Sequence, residues 1–228
     1  MLLECEEAPR PEWMSRQYQW RDGLLGVTVD GMEDKEKARL HWILSLLKNT
    51  AAQAGNFGCF GMHEWAMVYR SGTVRHEKVA ALRLSNEEIA RFVESRPIRC
   101  THYDAFRFFT PAARPLNQLQ PTLDGRPLQE QPGCIHANMD IYKWAFKCQT
   151  WITGELLLDA FALAKDLREI DMRASPYELS DYGYEPIAIE TAEGRREYEA
   201  AQRALADRAA SLRQRLISAL ERVVCAWR

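Results

Sequence analysis

Apolar residues recur at three- and four-residue steps along most of this chain, with polar residues filling the positions between. From Glu33 to about Gln53, Leu40, Ile43, Leu44 and Leu47 fall on one face with charges opposite, which predicts an amphipathic helix. Ser85-Asn86-Glu87-Glu88 reads as a capping box: the Ser85 hydroxyl can accept a backbone N–H while Glu88 reaches back. The helix it opens runs to about Ser95 and buries Ile89, Phe92 and Val93. The turn Gln131-Pro132-Gly133 leads into Cys134 to Trp144, read as a helix with its chemistry at one end and its packing at the other. Thr153 caps a helix to about Met172, with Leu156, Leu157, Ala160, Phe161, Ala164 and Leu167 as its apolar face. Thr191 caps the last helix, whose apolar seam runs through Tyr198, Leu205, Leu212, Leu216, Leu220 and Trp227.

A period of two is visible from Cys100 onward. If that run is extended, His102, Asp104, Phe106 and Phe108 share one face. Trp65 to Tyr69 fits either a short strand or a buried helical turn, and Val27-Thr28-Val29 and Pro186 to Glu190 fit short strands. Gln118 to Gly133 is rich in Pro, Gly and Gln and reads as a long loop that can cover a site. The expected fold is mainly α with a few short strands (α+β). An N-terminal arm spans 1–32, and a single globular, mainly helical domain with a long C-terminal helix spans 33–228.

Composition narrows the classes. The 228 residues are 46% hydrophobic, enough for one sizeable core. A net charge of -2 excludes a strongly basic nucleic-acid binder. No apolar run approaches the length of about 18 residues that a membrane span needs, and the acidic N-terminus is unlike a signal peptide, so a cytoplasmic protein is expected. The six cysteines show no CxxC spacing, which argues against a zinc finger and for reduced, mostly buried thiols. Trp13, Tyr18 and Trp20 of the arm can dock on the body or on a second subunit. The last helix can pack or self-associate, so a homodimer through the arm or that helix is an expected partner; its arginines are the alternative phosphate-contacting face. His41 and His76 read as structural or exposed.

Three segments pair a histidine with a carboxylate: His63-Glu64, His102-x-Asp104 and His136-x3-Asp140. On a helix His136 and Asp140 lie on one face, with Lys143 near it. If the three segments converge, two chemistries use the inventory. One is a His/carboxylate metalloenzyme, a hydrolase or non-haem iron oxygenase acting on a small molecule, with His63, His102 and His136 holding zinc or iron. The other is metal-free hydrolysis with a carboxylate as base or cation stabiliser. Asp171 and Arg173, at the end of the helix from Thr153, either pair within the helix or contact a ligand. The spacings match no HExxH motif, and GxGxxG, Walker and GxSxG motifs are absent.

Several long motifs occur in order: FGCFGMHEWAMVYR, RCTHYDAFRFFTPAARPLN, EQPGCIHANMDIYKWAFK, REIDMRASPYELS and IETAEGRREYEAAQR. Together they resemble a bacterial family commonly labelled 3-methyladenine DNA glycosylase, over roughly residues 38 to 215. The resemblance implies base-excision repair: a hydrolase cleaving the N-glycosidic bond of alkylated purines in DNA, with no cofactor required. Under it Asp104, Asp140, Glu64, His102 and His136 form the catalytic set, and the carboxylates stabilise the sugar cation or orient water. Trp65, Tyr103 and Tyr142 stack on the base; Asn138, Lys143, Arg107 and Arg173 complete the substrate-binding set. The near-neutral charge also fits a small nucleoside-like substrate.

Overall fold

Four long helices carry the fold, each with an apolar stripe that the others cover. The computed structural model describes residues 3–4, 17–21, 24–72 and 80–227. Helix α1 spans Asp34–Ala52 and buries Leu40, Ile43, Leu44, Leu46 and Leu47. Two short helices follow, α2 at Met62–Val68 and α3 at Asn86–Glu94. Helix α4 is a single turn at Tyr103–Phe106, and α5 another at Arg126–Gln129. Helix α6 spans Ile135–Lys147, α7 Gly154–Arg173 and α8 Ala192–Ala226. Helix α6 packs on α7, α7 on α8, and α8 on α1 and α6. Ile141, Leu163, Leu167, Leu216 and Leu220 are fully buried between them.

Among the described residues the strands lie at the N-terminal end. β1 (Leu3–Glu4), β2 (Tyr18–Arg21) and β3 (Leu24–Val27) form an antiparallel sheet in the order β1-β3-β2, with Tyr18 opposite Val27. The fold is therefore mainly α with few strands and a long C-terminal helix. Trp13 and His76 lie outside the described residues.

Local signals hold where they rest on short-range hydrogen bonds. Ser85 Oγ accepts from Glu88 N and Glu88 reaches back to Ser85 N, a complete capping box. Thr153 and Thr191 cap α7 and α8 by accepting from Leu156 N and Gly194 N. Three expectations are corrected. The alternating run from Cys100 is not extended: His102 is the N-cap of α4, and Tyr103–Phe106 form its single turn. Pro186 to Glu190 is irregular; Ile187 N donates instead to Arg173 O, at 2.8 Å. The segment from Gln118 to Gly133 is not simply a loop, because Pro127 and the Arg126–Glu130 pair close the turn of α5.

No helix among the described residues is long and apolar enough to cross a membrane.

Candidate functional site

The glycine turn before α2 sets the first histidine. Gly61 has φ of 72°, the left-handed region, and a Cβ there would sit 3.4 Å from Ala174 Cβ and 3.5 Å from the Tyr198 ring. The chain thus comes close against α8, and α2 starts with His63 pointing inward. Trp65 anchors the helix: it is fully buried, its Nε1 donates to Ala174 O at 2.9 Å, and it packs edge-on against Phe92. Trp65 is therefore a core residue, closed to a substrate base.

His63 Nε2 lies 2.8 Å from Asp171 Oδ1 on the last turn of α7, and both side chains are sealed from solvent. Burial pushes the His63 imidazolium down, but the charge and hydrogen bond of Asp171 outweigh it, with Cys59 and Glu64 adding, and raise it to about 10. Burial works against the Asp171 carboxylate too, yet His63 holds it well below the usual range. Arg168 bonds the other Asp171 oxygen and also Glu64 Oε1, at 3.1 Å. Glu64 sits 4.0 Å from His63 Nε2.

His136, in the first turn of α6, stands between this pair and a second group. Its ring lies edge-on to His63 at 4.3 Å and stacks on His102 at 5.5 Å. Burial and the neighbouring His63 charge lower His136 to about 3, so it is a neutral imidazole at neutral pH.

The second group is an ion network. His102 Nδ1 accepts the Ala105 N–H, which assigns the ring proton to Nε2. Nε2 then donates to Asp140 Oδ2 at 3.2 Å, with Glu130 Oε1 at 3.4 Å. Arg126 Nη2 approaches the same nitrogen at 3.3 Å. Both are donors, so this is a contact, and each spends its hydrogen on Asp140. Arg126 is almost fully buried and also bonds Glu130 at 2.7 Å and Asp104 at 2.9 Å. Lys143 joins Asp104 at 3.0 Å to Asp140 at 2.7 Å. Burial opposes ionisation of Asp140, but the His102 hydrogen bond and the Lys143 ammonium hold its carboxyl well below the usual range. Asp104 is lowered in the same way against burial, by Lys143 and Arg126. Asp104 and Lys143 are about a third exposed, at 33% and 34%, and form the mouth of the site.

The structure thus brings His63, His102, His136, Glu64, Asp104, Asp140 and Lys143 into one polar file running inward from that mouth. Arg107 lies at the mouth, 3.8 Å from Asp104, and Tyr103 is half-buried at the start of α4. Three expected substrate-binding residues besides Trp65 lie elsewhere. Tyr142 packs against Phe146 and Phe161. Arg173 bonds Glu185 O at 2.9 Å and Glu197 at 3.3 Å, between α7 and α8. Asn138 is buried, donates to Pro132 O and accepts from Arg213, so its role is to fix the entry to α6.

Sequence reasoning missed Arg126 and Glu130, and left Asp171 out of the metal set. The i,i+4 Arg–Glu spacing after Gly125 was the available signal for the first two. It also grouped the three histidines as ligands of one ion. The ligand atoms instead cluster within 4.8 Å as two sets, His63 with His136 and Asp171, and His102 with Asp104 and Asp140. The second set already holds two cations, Arg126 and Lys143; in the first, Arg168 bonds Asp171 and the His63 imidazolium is itself the cation.

Comparison with protein-family models, with curated proteins and with solved structures finds no match for this chain.

Proposed function

We propose that this protein is a metal-dependent hydrolase whose ion is held by His63, His136 and Asp171. The observation that carries the reading is that two imidazoles and a carboxylate from α2, α6 and α7 converge in a buried place. The 2.8 Å between His63 Nε2 and Asp171 Oδ1 is close to the ~3 Å that separates adjacent ligands each ~2 Å from a shared ion. His136 is already neutral, whereas His63 carries the proton that Asp171 stabilises and must release it to become a ligand, so metal uptake would release one proton. Arg168 behind Asp171 orients its carboxylate and is itself held by Glu64, the arrangement that outer partners of metal ligands provide. A zinc ion held there by His63, His136 and Asp171 would lower the pKa of a bound water to about 7. Hydrolysis needs a water beside the ion, and the adjoining cavity, about 10 Å3 in volume, fits one and is lined by hydrogen-bonding atoms.

Elemental analysis of purified protein tests this. About one zinc or iron per chain is expected. Asp171→Asn and His136→Ala each lose it, while His102→Ala retains it. A metal-free native chain that folds normally leaves His63–Asp171 as a structural ion pair and overturns the reading.

A second reading follows from the motif resemblance and from the carboxylates at the mouth. It is cleavage of an N-glycosidic bond in alkylated DNA or a nucleoside-like substrate, with Asp104 and Asp140 as the working carboxylates. Release of methyladenine from alkylated DNA that survives chelation, but not Asp104→Asn, selects it over the metal reading.

A further inference from the structure

Beside His63 and His136 lies a small cavity also lined by Thr101, Tyr198, Gln202 and three cysteines, Cys59, Cys100 and Cys134. Its volume of about 10 Å3 is that of one water molecule. Thr101 Oγ1, Tyr198 Oη and Gln202 Oε1 are all buried and have no protein hydrogen-bond partner. Tyr198 is fully buried and Gln202 is 2% exposed. Orphaned polar atoms of this kind are costly, and three around one cavity is a pattern that an internal water resolves.

The hydrogen-bond count is specific. Gln202 Nε2 donates to Gly133 O at 2.6 Å, which fixes the amide and leaves Oε1 as a pure acceptor towards the cavity. The hydroxyls of Tyr198 and Thr101 can each donate. A water there gives one hydrogen to Gln202 and receives one from Tyr198 or Thr101. One hydrogen and one lone pair remain for the His63–His136 side.

We infer that Tyr198, Gln202 and Thr101 form a socket for a single water molecule, which the Tyr198 hydroxyl orients towards His63 and His136, where it would be the water ligand of an ion held by those two residues and Asp171. The role as an ion's ligand rests on the metal reading; the socket does not. Tyr198 is held in place by packing alone, since its ring lies against the Gly61 turn that launches α2. A residue that only filled space here would need no hydroxyl.

A crystal structure of the native protein, with internal waters ordered, tests the socket. One oxygen within hydrogen-bond distance of Tyr198 Oη and Gln202 Oε1 supports it; a Tyr198 hydroxyl bonded to a protein atom, or a cavity without ordered density, overturns it. Cobalt(II) uptake tests the role. The visible spectrum of the cobalt protein is titrated with pH to follow ionisation of bound water. Tyr198→Phe at full cobalt loading is expected to raise the midpoint by about one unit, a tenfold change in the ionisation constant. Thr101→Val, which keeps the shape, provides a second variant and a smaller rise. An unchanged midpoint in both overturns the orienting role. Failure of the native chain to take up cobalt refutes the metal reading and with it the role, while the crystal structure still decides the socket.

Discussion

Arg126 shows what one residue contributes. Its guanidinium is almost fully buried and serves Asp104, Glu130 and Asp140 at once. Arg126→Leu strands Glu130, which is only 2% exposed, and is expected to cost about 3–5 kcal/mol, the scale for breaking a buried pair. A fall in the urea midpoint measures it. Asp140 adds a pH signature. Its carboxyl is depressed in the folded chain, so its contribution is fully present above the ordinary value of 3.8 and is lost as pH falls through the folded value. Asp140→Asn should therefore lower stability at neutral pH and flatten its loss below pH 3.8, as followed by circular dichroism. The three histidines and their own carboxylates were legible as residues worth attention. Arg126 was not: its spacing to Glu130 marks at most a local pair, and nothing in it shows that the guanidinium reaches across to α4 and α6.

At the level of elements, the caps were readable because they are made within four residues. Ser85→Ala removes the acceptor for Glu88 N and should cost about 1 kcal/mol, seen as a drop in thermal midpoint of a few degrees. Start points of helices carry close approaches that no periodicity displays. A Cβ on Gly194 would sit 2.1 Å from Ala188 O, a backbone atom that cannot swing away. Gly194→Ala is thus expected to destabilise the start of α8 by about 1–3 kcal/mol, although alanine is the better helix former. A midpoint equal to that of the native chain would contradict the geometry. The run from Cys100 misled because alternation shows which side chains alternate, and only a hydrogen-bonding neighbour makes that a strand. Here Cys100 N instead meets the side chain of Asn117, at 2.8 Å.

For the whole molecule, the candidate ligands come from three helices that meet only when the core has formed. Metal would therefore bind the folded chain and not the unfolded one. At 100 times its dissociation constant it should add about 2.7 kcal/mol to stability. Chelation should lower the thermal midpoint and zinc restore it, and Asp171→Asn should remove the response. The sequence by itself determined the five longer helices, α1, α3, α6, α7 and α8, the caps at Ser85, Thr153 and Thr191 and the class of fold, because these follow from periodicity and contacts a few residues apart. It also marked His63, His102 and His136 with Asp104 and Asp140. Only the tertiary structure decided the partners: Asp171, 108 positions from His63, became its neighbour, and Arg126 filled the place beside His102 where a shared ion had been expected. That choice depends on how α2, α6 and α7 cross, and helix crossing is set by packing of faces over the whole core.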